Sequence, residues 1–444
     1  MINSHRGGRR LPFLPYNGPT MLTFMKDSGM RIASITPVLL ISAWLVIAGC
    51  EETITPRNKP PVISSITAVP DTVDIGGTAI LTAVADDADG DSLTYTWSAD
   101  YGTLAGTDEI ATWTAPFASG VRDISLSVDD GHEGQVELSV SIPVIAPSLI
   151  SLATADGPTL DGIGNELAWL NAGPLVVTAG AVPRFQSDFG GVAVTLKSVH
   201  TDSDLYILAS WTDPSGTPNV TRKQWSYNSG TSSWERSGAD EDRLFFMFDA
   251  GDNGTEGADC ATMCHGATDE MTTTGGGHVD VWHWKAARTN PVGLADDKWW
   301  DGDGRGSDAK TISAYQDNIT GSGNFPKYAG GSNAYEDFIK IEVGETETDL
   351  VIFDSTDAGL QANTYPGYIL DLNAAESDES RHDVHAWGRY AGGVWTVEFK
   401  RALDTGHTDD VVFVVGSSIQ FSVAVTDNSG GAHSGAGVID LVIK

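Results

Sequence analysis

The sequence predicts an all-β protein, in which a small β-sandwich is followed by a larger antiparallel β-sandwich with a long loop insertion. Three observations predict this fold class. Apolar and polar residues alternate in many short runs, as they do in strands that bury one face. Clusters of Gly, Asp, Asn and Pro separate these runs, as expected of turns. One long stretch, residues 251–331, interrupts the pattern and is rich in Gly, Asp, Trp and His.

Residues 1–49 have the layout of a secretion signal. The apolar run PVLLISAWLVIA covers residues 37–48 and follows the basic residues Lys26 and Arg31. Such a run is too short to span a bilayer comfortably. It leads into Ile47-Ala48-Gly49-Cys50, which resembles a bacterial lipobox, so we expect Cys50 to be lipidated and to begin the mature chain. The alternative is an uncleaved membrane anchor.

Either arrangement places the body of the protein outside the cytoplasm and ties it to a membrane. Glu51 stands where an aspartate would favour retention in the inner membrane, so we expect a lipoprotein of the outer membrane or cell surface. The residues before Met25 include arginines and prolines that are atypical of a signal. This favours Met25 or Met30 as the true start.

The composition limits the partners of the protein. The sequence holds 60 acidic residues against 26 basic ones, a formal net charge of −34. This balance argues against binding to nucleic acid, whose phosphates require basic patches. The mature chain of roughly 395 residues is long enough for two or more domains.

Residues 50–61 are polar and contain proline, which predicts a linker. Alternating runs then predict a sandwich over residues 62–145. The runs DADGDSLTYTWSADYGTL, ATWTAP and VDDGHEG resemble the immunoglobulin-like domains of bacterial surface proteins, including the polycystic-kidney-disease type. The resemblance implies a spacer or interaction module, with Trp97 packed between the two sheets. Asp87, Asp89 and Asp91 are spaced like calcium ligands, although acidic turns commonly have no metal.

A second domain is predicted over residues 150–444, where nine further runs favour a large antiparallel sandwich. The runs are VAVTLKSVH, LYILASW, DRLFFMFD, FIKIEVG, DLVIFD, VWTVEFKRAL, VVFVVG, IQFSVAVTDN and GVIDLVI. The long insertion between them is expected to carry the functional site, because structureless insertions of this length in compact domains are usually functional.

Cys260, Cys264 and His265 stand together at the start of this insertion, in the segment DCATMCHG. A histidine directly after the second of two cysteines is the arrangement that attaches haem c: both thiols add to vinyl groups, and the imidazole becomes the proximal iron ligand. The usual spacing has two residues between the cysteines, whereas here there are three. There are three alternatives: a disulfide that leaves any haem non-covalently bound, zinc held with His265 and His283, or a histidine that stands beside the cysteines by chance.

The wider sequence resembles the haem-binding domain of the ethylbenzene dehydrogenase and dimethylsulfoxide reductase type, which also occurs in certain c-type cytochromes. The segments that carry the resemblance are CATMCHG, VDVWHWKAART, DGIGNELAW, SDLYILASWTDP, EDRLFFMFD, GGVWTVEFKRALDTGHTDDVVF and FSVAVTDNSGGAHSG. The resemblance implies one haem, of c type or else of b type, held by loops at the edge of a β-sandwich. It also implies electron transfer with an unknown redox partner, and no enzymatic catalysis.

The second iron ligand remains open between two residues. Met271 would give a higher reduction potential, and His283 a lower one. In the run VDVWHWK, the period of two puts His283 on the same face as Val279 and Val281, with Trp282 on the other face. His278 and His433 are weaker candidates. Both Met271 and His283 have an alternative role in simple packing.

Two cations and one acidic turn complete the candidates. Lys285 and Arg288 are candidates to neutralise haem propionates, with solvation at the surface as the alternative. The string DGDGRGSD at residues 301–308 has no terminal bidentate carboxylate, so a solvated turn is expected there more than calcium. A different class of function, a surface adhesion or carbohydrate-binding lipoprotein without haem, remains the alternative, because tryptophan-rich loops also stack on sugars.

Overall fold

The structure is a computed structural model that describes residues 57–74, 76–116, 119–181, 191–250, 273, 277–331 and 337–444. The predicted signal segment therefore lies outside the described residues. The described chain is built almost entirely from strands, which confirms the predicted all-β class. Among its helices, none is both long and apolar enough to cross a bilayer.

The first sandwich consists of two four-stranded sheets. Its strands are β1 (Val62–Val69), β2 (Val73–Asp74), β3 (Thr78–Asp86), β4 (Thr94–Ala99), β5 (Thr103–Ala105), β6 (Ile110–Thr114), β7 (Gly120–Asp129) and β8 (Gln135–Ile145). One sheet has the order β1-β3-β6-β5 and the other β2-β8-β7-β4. This arrangement matches the immunoglobulin-like sandwich that the alternating runs predict.

The tryptophan at the centre of this sandwich is Trp113, not Trp97. Trp113 on β6 is fully buried, and its indole nitrogen donates to the carbonyl of Tyr101 at 2.9 Å. Trp97 on β4 is only half-buried and packs at the side of the apolar clusters. The two indoles have the same sequence signal, a tryptophan inside an alternating run, so the sequence could not rank their burial.

The second domain contains the remaining strands and one short helix. These are β9 (Ser148–Ala153), α1 (Leu167–Asn171), β10 (Leu175–Ala181), β11 (Val192–His200), β12 (Asp204–Thr212), β13 (Trp225–Asn228), β14 (Ser233–Arg236), β15 (Arg243–Ala250), β16 (His278–Lys285), β17 (Asp296–Asp301), β18 (Gly304–Arg305), β19 (Tyr315–Asp317), β20 (Ile339–Ile341), β21 (Tyr368–Asp371), β22 (His385–Ala391), β23 (Val394–Ala402), β24 (Ser418–Thr426), β25 (Ser434–Gly435) and β26 (Ile439–Ile443). The 3-10 helices are Asn290–Val292, Glu347–Asp349, Ala358–Ala362, Leu372–Glu376 and Ser380–His382.

Thirteen of these strands form one continuous sheet that folds back on itself. Its order is β18-β17-β16-β15-β24-β25-β10-β11-β12-β23-β22, and β26 and β9 make a second link between β24 and β11. Most neighbours are antiparallel, but β9 pairs in parallel with both β11 and β26. The half with β15, β16, β17 and β24 therefore faces the half with β12, β22 and β23, as in a sandwich.

The main core lies between these two halves and is rich in aromatic rings. Phe246 on β15 lies 5.1 Å from Phe399 on β23, centroid to centroid. Trp284 on β16 meets Trp395 on β23 at 5.0 Å, with the ring planes at 72°. Such edge-to-face contacts between layers add to the free energy of burying large rings. They fix how β16 sits on the opposite layer, and β16 carries the candidate residues.

Two sequence expectations about this domain are wrong, and one is partly confirmed. The insertion contains β16, where the run VDVWHWK alternates as a strand does, and also β17, which no alternating run predicted. The runs DLVIFD and VVFVVG do not form strands in the structure. In VVFVVG, Val411 and Phe413 are buried while Val412 and Val414 are exposed, so the alternation is present without a paired neighbour. Alternation reports a buried face, whereas a strand also needs a partner for its backbone hydrogen bonds.

Candidate functional site

The residues predicted for the site divide into two groups. Cys50, Cys260, Cys264, His265 and Met271 lie outside the described residues. The structure places His283 and Lys285 on β16, and Arg288 in the turn that follows. The site can therefore be built from β16 and its neighbours.

Both faces of the sheet around β16 are buried. One face belongs to the main core and includes Phe246, Phe248, Trp282 and Trp284. The other face carries a second apolar cluster of Phe245, Met247, Val279, Val281, Trp300 and Ala424. His283 lies on the face of this second cluster, because successive side chains of a strand point to opposite sides. The predicted facing of His283 and Trp282 is thus confirmed.

His283 is buried, with 7% of its surface exposed, and is held on one side by an aromatic ring. Its imidazole stacks on Phe245 with centroids 4.1 Å apart and planes at 28°. Nδ1 lies 3.5 Å from Nζ of Lys298. Nε2 is buried and has no hydrogen-bond partner among the described residues. Burial, followed by the nearby charges of Lys285 and Lys298, holds the pKa of His283 well below its usual range.

An unpartnered buried nitrogen is unusual, because buried polar atoms nearly always find a partner. A neutral imidazole with an available ring nitrogen is the commonest protein ligand for metals. His283 therefore combines burial, a lowered pKa and an available nitrogen on an apolar face. This donor set fits an iron porphyrin, whose ring requires apolar surroundings and whose iron accepts an imidazole.

Beside His283, three cations surround one carboxylate. Nζ of Lys285 pairs with Asp296, and donates to the hydroxyl of Tyr315 at 2.8 Å. Nη2 of Arg381 lies 3.1 Å from Asp296, and Nζ of Lys298 lies 3.9 Å from it. Burial, followed by the charge of Arg381, lowers the pKa of Lys298 to about 7. Three basic groups therefore share one carboxylate, and an anionic group nearby would favour their charged forms.

Arg288 is engaged with a different carboxylate. Its Nε donates to Oε1 of Glu241 at 2.6 Å, and Glu241 is fully buried. The guanidinium also lies over the rings of Tyr315 and Tyr368, at 4.9 and 5.4 Å from their centroids. Lys285 and Arg288 are therefore not solvated surface charges, which was the alternative expected for them.

The other two candidate histidines lie elsewhere around β16. His278 begins β16 on the face opposite His283, and its Nε2 is likewise buried without a hydrogen-bond partner among the described residues. His433 is buried, and its Nδ1 lies 2.8 Å from the carbonyl oxygen of Gly431. Its ring centroid is 5.9 Å from that of Phe245, so it borders the same aromatic ring as His283.

Sequence reasoning missed a buried acidic group on the core face of β16 and β17. Asp280 and Asp297 are fully buried beside Arg401, which is also fully buried. Residues 301–307 are exposed or half-buried, as expected of a solvated turn, but the last residue of the string, Asp308, is 4% exposed. The alternation of residues 278–285 already placed Asp280 beside Trp282, which was the available signal.

The candidate calcium ligands of the first sandwich already form hydrogen bonds or an ion pair with other residues of the protein. One oxygen each of Asp87, Asp91 and Asp130 come within 4.8 Å of one another. Oδ1 of Asp87 accepts from the backbone nitrogens of Asp89 and Asp91, at 2.8 and 3.2 Å. Asp89 instead forms an ion pair with Lys59 at 2.9 Å. Calcium at this turn stays the alternative to a plain acidic turn.

The fold and the site together define a protein of two β-sandwiches, and the larger sandwich contains the buried imidazole of His283. A family model described as ethylbenzene dehydrogenase matches residues 167–437, more than half of the chain. The chain therefore belongs to the ethylbenzene dehydrogenase family. A second model, described as a bacterial Ig domain, matches residues 58–143. A comparison with curated proteins finds no match.

Solved structures show distant similarity. A family 9 carbohydrate-binding module from Caldicellulosiruptor kristjanssonii in complex with glucose is 12% identical, covers 66% of this chain and 96% of its own, and has a TM-score of 0.27. Carbohydrate-binding modules of the β-sandwich superfamily are 11% identical, with 86% and 99% covered and a TM-score of 0.19. The adhesin InvE of Yersinia pseudotuberculosis is 12% identical, with 85% and 60% covered and a TM-score of 0.17. Similarities this weak carry no argument about function.

Proposed function

We propose that this chain is an extracytoplasmic, lipid-anchored haem protein that transfers single electrons. Cys260 and Cys264 would attach the haem, and His265 and His283 would bind its iron. Bound iron would alternate between the ferrous and ferric states. Cys50 would carry the lipid, and the immunoglobulin-like sandwich would act as a spacer between the membrane and the redox domain.

The observation that carries the proposal is the buried Nε2 of His283, which has no hydrogen-bond partner in the described part of the chain and belongs to a ring stacked on Phe245 beside an apolar cluster. Membership of the ethylbenzene dehydrogenase family supports the same function, because resemblance to this family implies a haem-binding β-sandwich. The apolar cluster around Val281 and Met247 would exclude water from one side of the ring. A water-poor setting lowers the local dielectric and thereby tunes the reduction potential.

The cations around Asp296 support the same placement. A haem carries propionate carboxylates, which need positive partners when they are shielded from water. Lys285 and Arg288 are already bound to Asp296 and Glu241. Lys298 lies 3.9 Å from Asp296, and Nη1 of Arg381 has no hydrogen-bond partner among the described residues, so these two groups would be available to the propionates. The charge of −34 would favour a redox partner with a basic surface.

The experiment is a haem assay on the protein made in cells competent in cytochrome maturation. We expect the denatured protein to retain haem stain, and its pyridine haemochrome spectrum to show c-type haem. His283→Gln should keep the attached haem and convert its spectrum from low-spin to high-spin, because one strong ligand is lost. His278→Gln, on the same strand but the opposite face, is the matched control and should leave the spectrum unchanged. A colourless protein would overturn the proposal.

Met271→Leu tests the other ligand. If Met271 binds the iron, this variant changes the spectrum and His283→Gln does not. If neither variant changes it, both assignments of the second ligand are wrong, while haem binding itself is judged by the stain.

The alternative function, sugar binding at a cell surface, has one specific observation in its favour. Trp387 on β22 is 37% exposed and borders a cavity shared with Leu160, His385 and Lys400. Exposed indole faces stack on sugar rings, whereas Trp282 and Trp284 are fully buried and unsuited to that role. A colourless protein that binds polysaccharide, and loses this binding in Trp387→Ala, would favour the alternative.

A further inference from the structure

A second candidate site lies on the core face of β16, opposite His283. One oxygen each of Asp280, Asp297 and Asp410 come within 4.8 Å of one another, and all three residues are buried. Asp280 comes from β16, Asp297 from β17, and Asp410 from the segment between β23 and β24. The group therefore joins the two layers of the larger sandwich.

The guanidinium of Arg401 lies beside this group of carboxylates. Nη1 of Arg401, on β23, pairs with Oδ2 of Asp280 and lies 3.9 Å from Oδ2 of Asp297. Nη2 of Arg401 donates to the carbonyl of Val411. The guanidinium carbon lies 5.2 Å from the ring centroid of Trp282, so its position is fixed by packing as well as by charge.

Each carboxylate uses one oxygen in a hydrogen bond and leaves the other without a hydrogen-bond partner among the described residues. Oδ2 of Asp280 accepts from the backbone nitrogen of Val411 at 3.0 Å, Oδ1 of Asp297 from that of Lys298 at 3.0 Å, and Oδ2 of Asp410 from the hydroxyl of Thr405 at 2.5 Å. The second oxygen of each, Oδ1 of Asp280, Oδ2 of Asp297 and Oδ1 of Asp410, is buried with no hydrogen-bond partner in the described part of the chain. Oδ2 of Asp297 points into the group, since it is the oxygen nearest Arg401.

The group has more carboxyl groups than cations. Three acidic side chains share one guanidinium in a region shielded from water. Without a further cation, burial and the mutual repulsion of these acids favour their protonated forms. A divalent cation would take the place of these protons and would be bound by carboxylate oxygens.

We propose that Asp280, Asp297 and Asp410 bind a divalent cation of the calcium type, with Asp308 at the edge of the site. Calcium binds carboxylate oxygens at roughly 2.3–2.6 Å, so two ligands on opposite sides of the ion are about 4.8 Å apart. The oxygens of this group fall within that span. Magnesium is less suitable because it keeps several waters, and zinc prefers nitrogen and sulfur.

His407 does not supply such a nitrogen. Its Nδ1 lies 2.7 Å from Oδ2 of Asp383 and 3.9 Å from Oδ2 of Asp410, so Asp383 is its closer partner. The site is thus made of oxygen ligands alone. The cation would tie β16 and β17 to the opposite layer through Asp410, independently of whether haem binds on the other face.

The test compares calcium binding by the full mature chain with that of Asp297→Asn. The protein is freed of metal with a chelator, and calcium content after reloading is measured by elemental analysis. Asp87→Asn, in the acidic turn of the first sandwich, is the matched control. We expect Asp297→Asn to hold one calcium fewer per chain than the wild type, and Asp87→Asn to leave the calcium of this site in place.

Stability gives a second readout. Calcium should raise the melting temperature of the chelated wild type by at least about 5 °C, because a ligand that binds only the folded state stabilises it. Asp297→Asn should lose this rise, and without calcium it should melt above the chelated wild type, since it removes a buried negative charge. The proposal is overturned if calcium changes neither the melting temperature nor the metal content of the wild type. It is equally overturned if Asp297→Asn binds as much calcium as the wild type. Should Asp297→Asn fail to fold, the calcium response of Asp87→Asn decides, because that variant keeps the group at Asp297 and alters the other calcium candidate.

Discussion

The indole nitrogen of Trp169 donates a 2.6 Å hydrogen bond to Oε1 of Glu398, and both side chains are fully buried. Oε2 of the same carboxylate accepts from the backbone nitrogens of Asp161 and Gly162, at 2.9 and 2.6 Å. One glutamate on β23 therefore fixes both α1 and the segment before it. Burial raises the pKa of Glu398, and the three donors oppose that effect.

Glu398→Gln should lower the free energy of unfolding by about 1–3 kcal/mol. Glutamine offers one accepting oxygen, so either Trp169 or the two backbone donors lose their partner inside the protein. Urea unfolding followed by tryptophan fluorescence measures the change. Glu376→Gln, at an exposed glutamate of the same domain, is the control and should stay within about 0.5 kcal/mol of the wild type. Equal stability of the two variants would show that the buried carboxylate has no such role.

Gly388 on β22 marks a close approach of the two layers. A Cβ at this position would lie 2.5 Å from Cζ2 of Trp284 and 3.0 Å from Cγ2 of Val397. Gly388→Ala should therefore destabilise the protein by about 1–3 kcal/mol, because the large indole is locked in the core. Gly173→Ala is the matched control, since no atom lies within 4 Å of its added Cβ. A melting temperature of Gly388→Ala equal to that of Gly173→Ala would contradict this account.

The buried His382 makes the folding stability of the protein depend on pH. It is buried, and its Nδ1 lies 2.7 Å from Oγ of Ser377. Burial lowers the pKa of His382 from 6.5 to about 4, although Glu379 opposes the shift. The unfolded chain therefore binds this proton more readily than the folded chain. The stability that comes from His382 is complete above pH 6.5 and is lost as the pH falls towards 4, by at most about 3 kcal/mol.

Urea unfolding at pH 7 and pH 4 tests this dependence. His382→Gln keeps a polar group near Ser377 but does not titrate, so its stability should fall less between the two pH values than that of the wild type. If both proteins lose the same free energy on acidification, His382 is not the group responsible.

The period of two in the sequence was enough to predict which residues of β16 share a face. It could not show that both faces are buried, because that depends on partners far away in the chain. Asp280 is buried only because Arg401, more than a hundred residues later, lies opposite it. Lys285 is buried because Asp296 of the next strand pairs with it. From the sequence alone, charged residues in alternating runs are therefore predicted to be solvated, because their distant partners are not known.

The absence of information on distant partners also explains why DLVIFD and VVFVVG were wrongly predicted to be strands. Val411 and Phe413 are buried in an alternating run, yet no strand in the described chain pairs with that segment. Pairing depends on the path of the whole sheet, which no local pattern reports. The family resemblance, by contrast, rests on segments spread over most of the second domain, and for that reason it identified the family correctly.

Phe245 allows the role of His283 to be separated from general packing. Its ring stacks on His283 and restricts how the imidazole can turn. If His283 binds iron, Phe245→Leu should let the imidazole turn away, so that part of the haem becomes high-spin in the visible spectrum and by electron paramagnetic resonance. The neighbouring Phe246 lies on the core face and is fully buried, so Phe246→Leu is the matched control. That variant should lower stability by about 1 kcal/mol and leave the spectrum unchanged. If the spectrum instead changes in Phe246→Leu and not in Phe245→Leu, the imidazole of His283 is not an iron ligand, because of these two phenylalanines it is Phe245 that stacks on its ring.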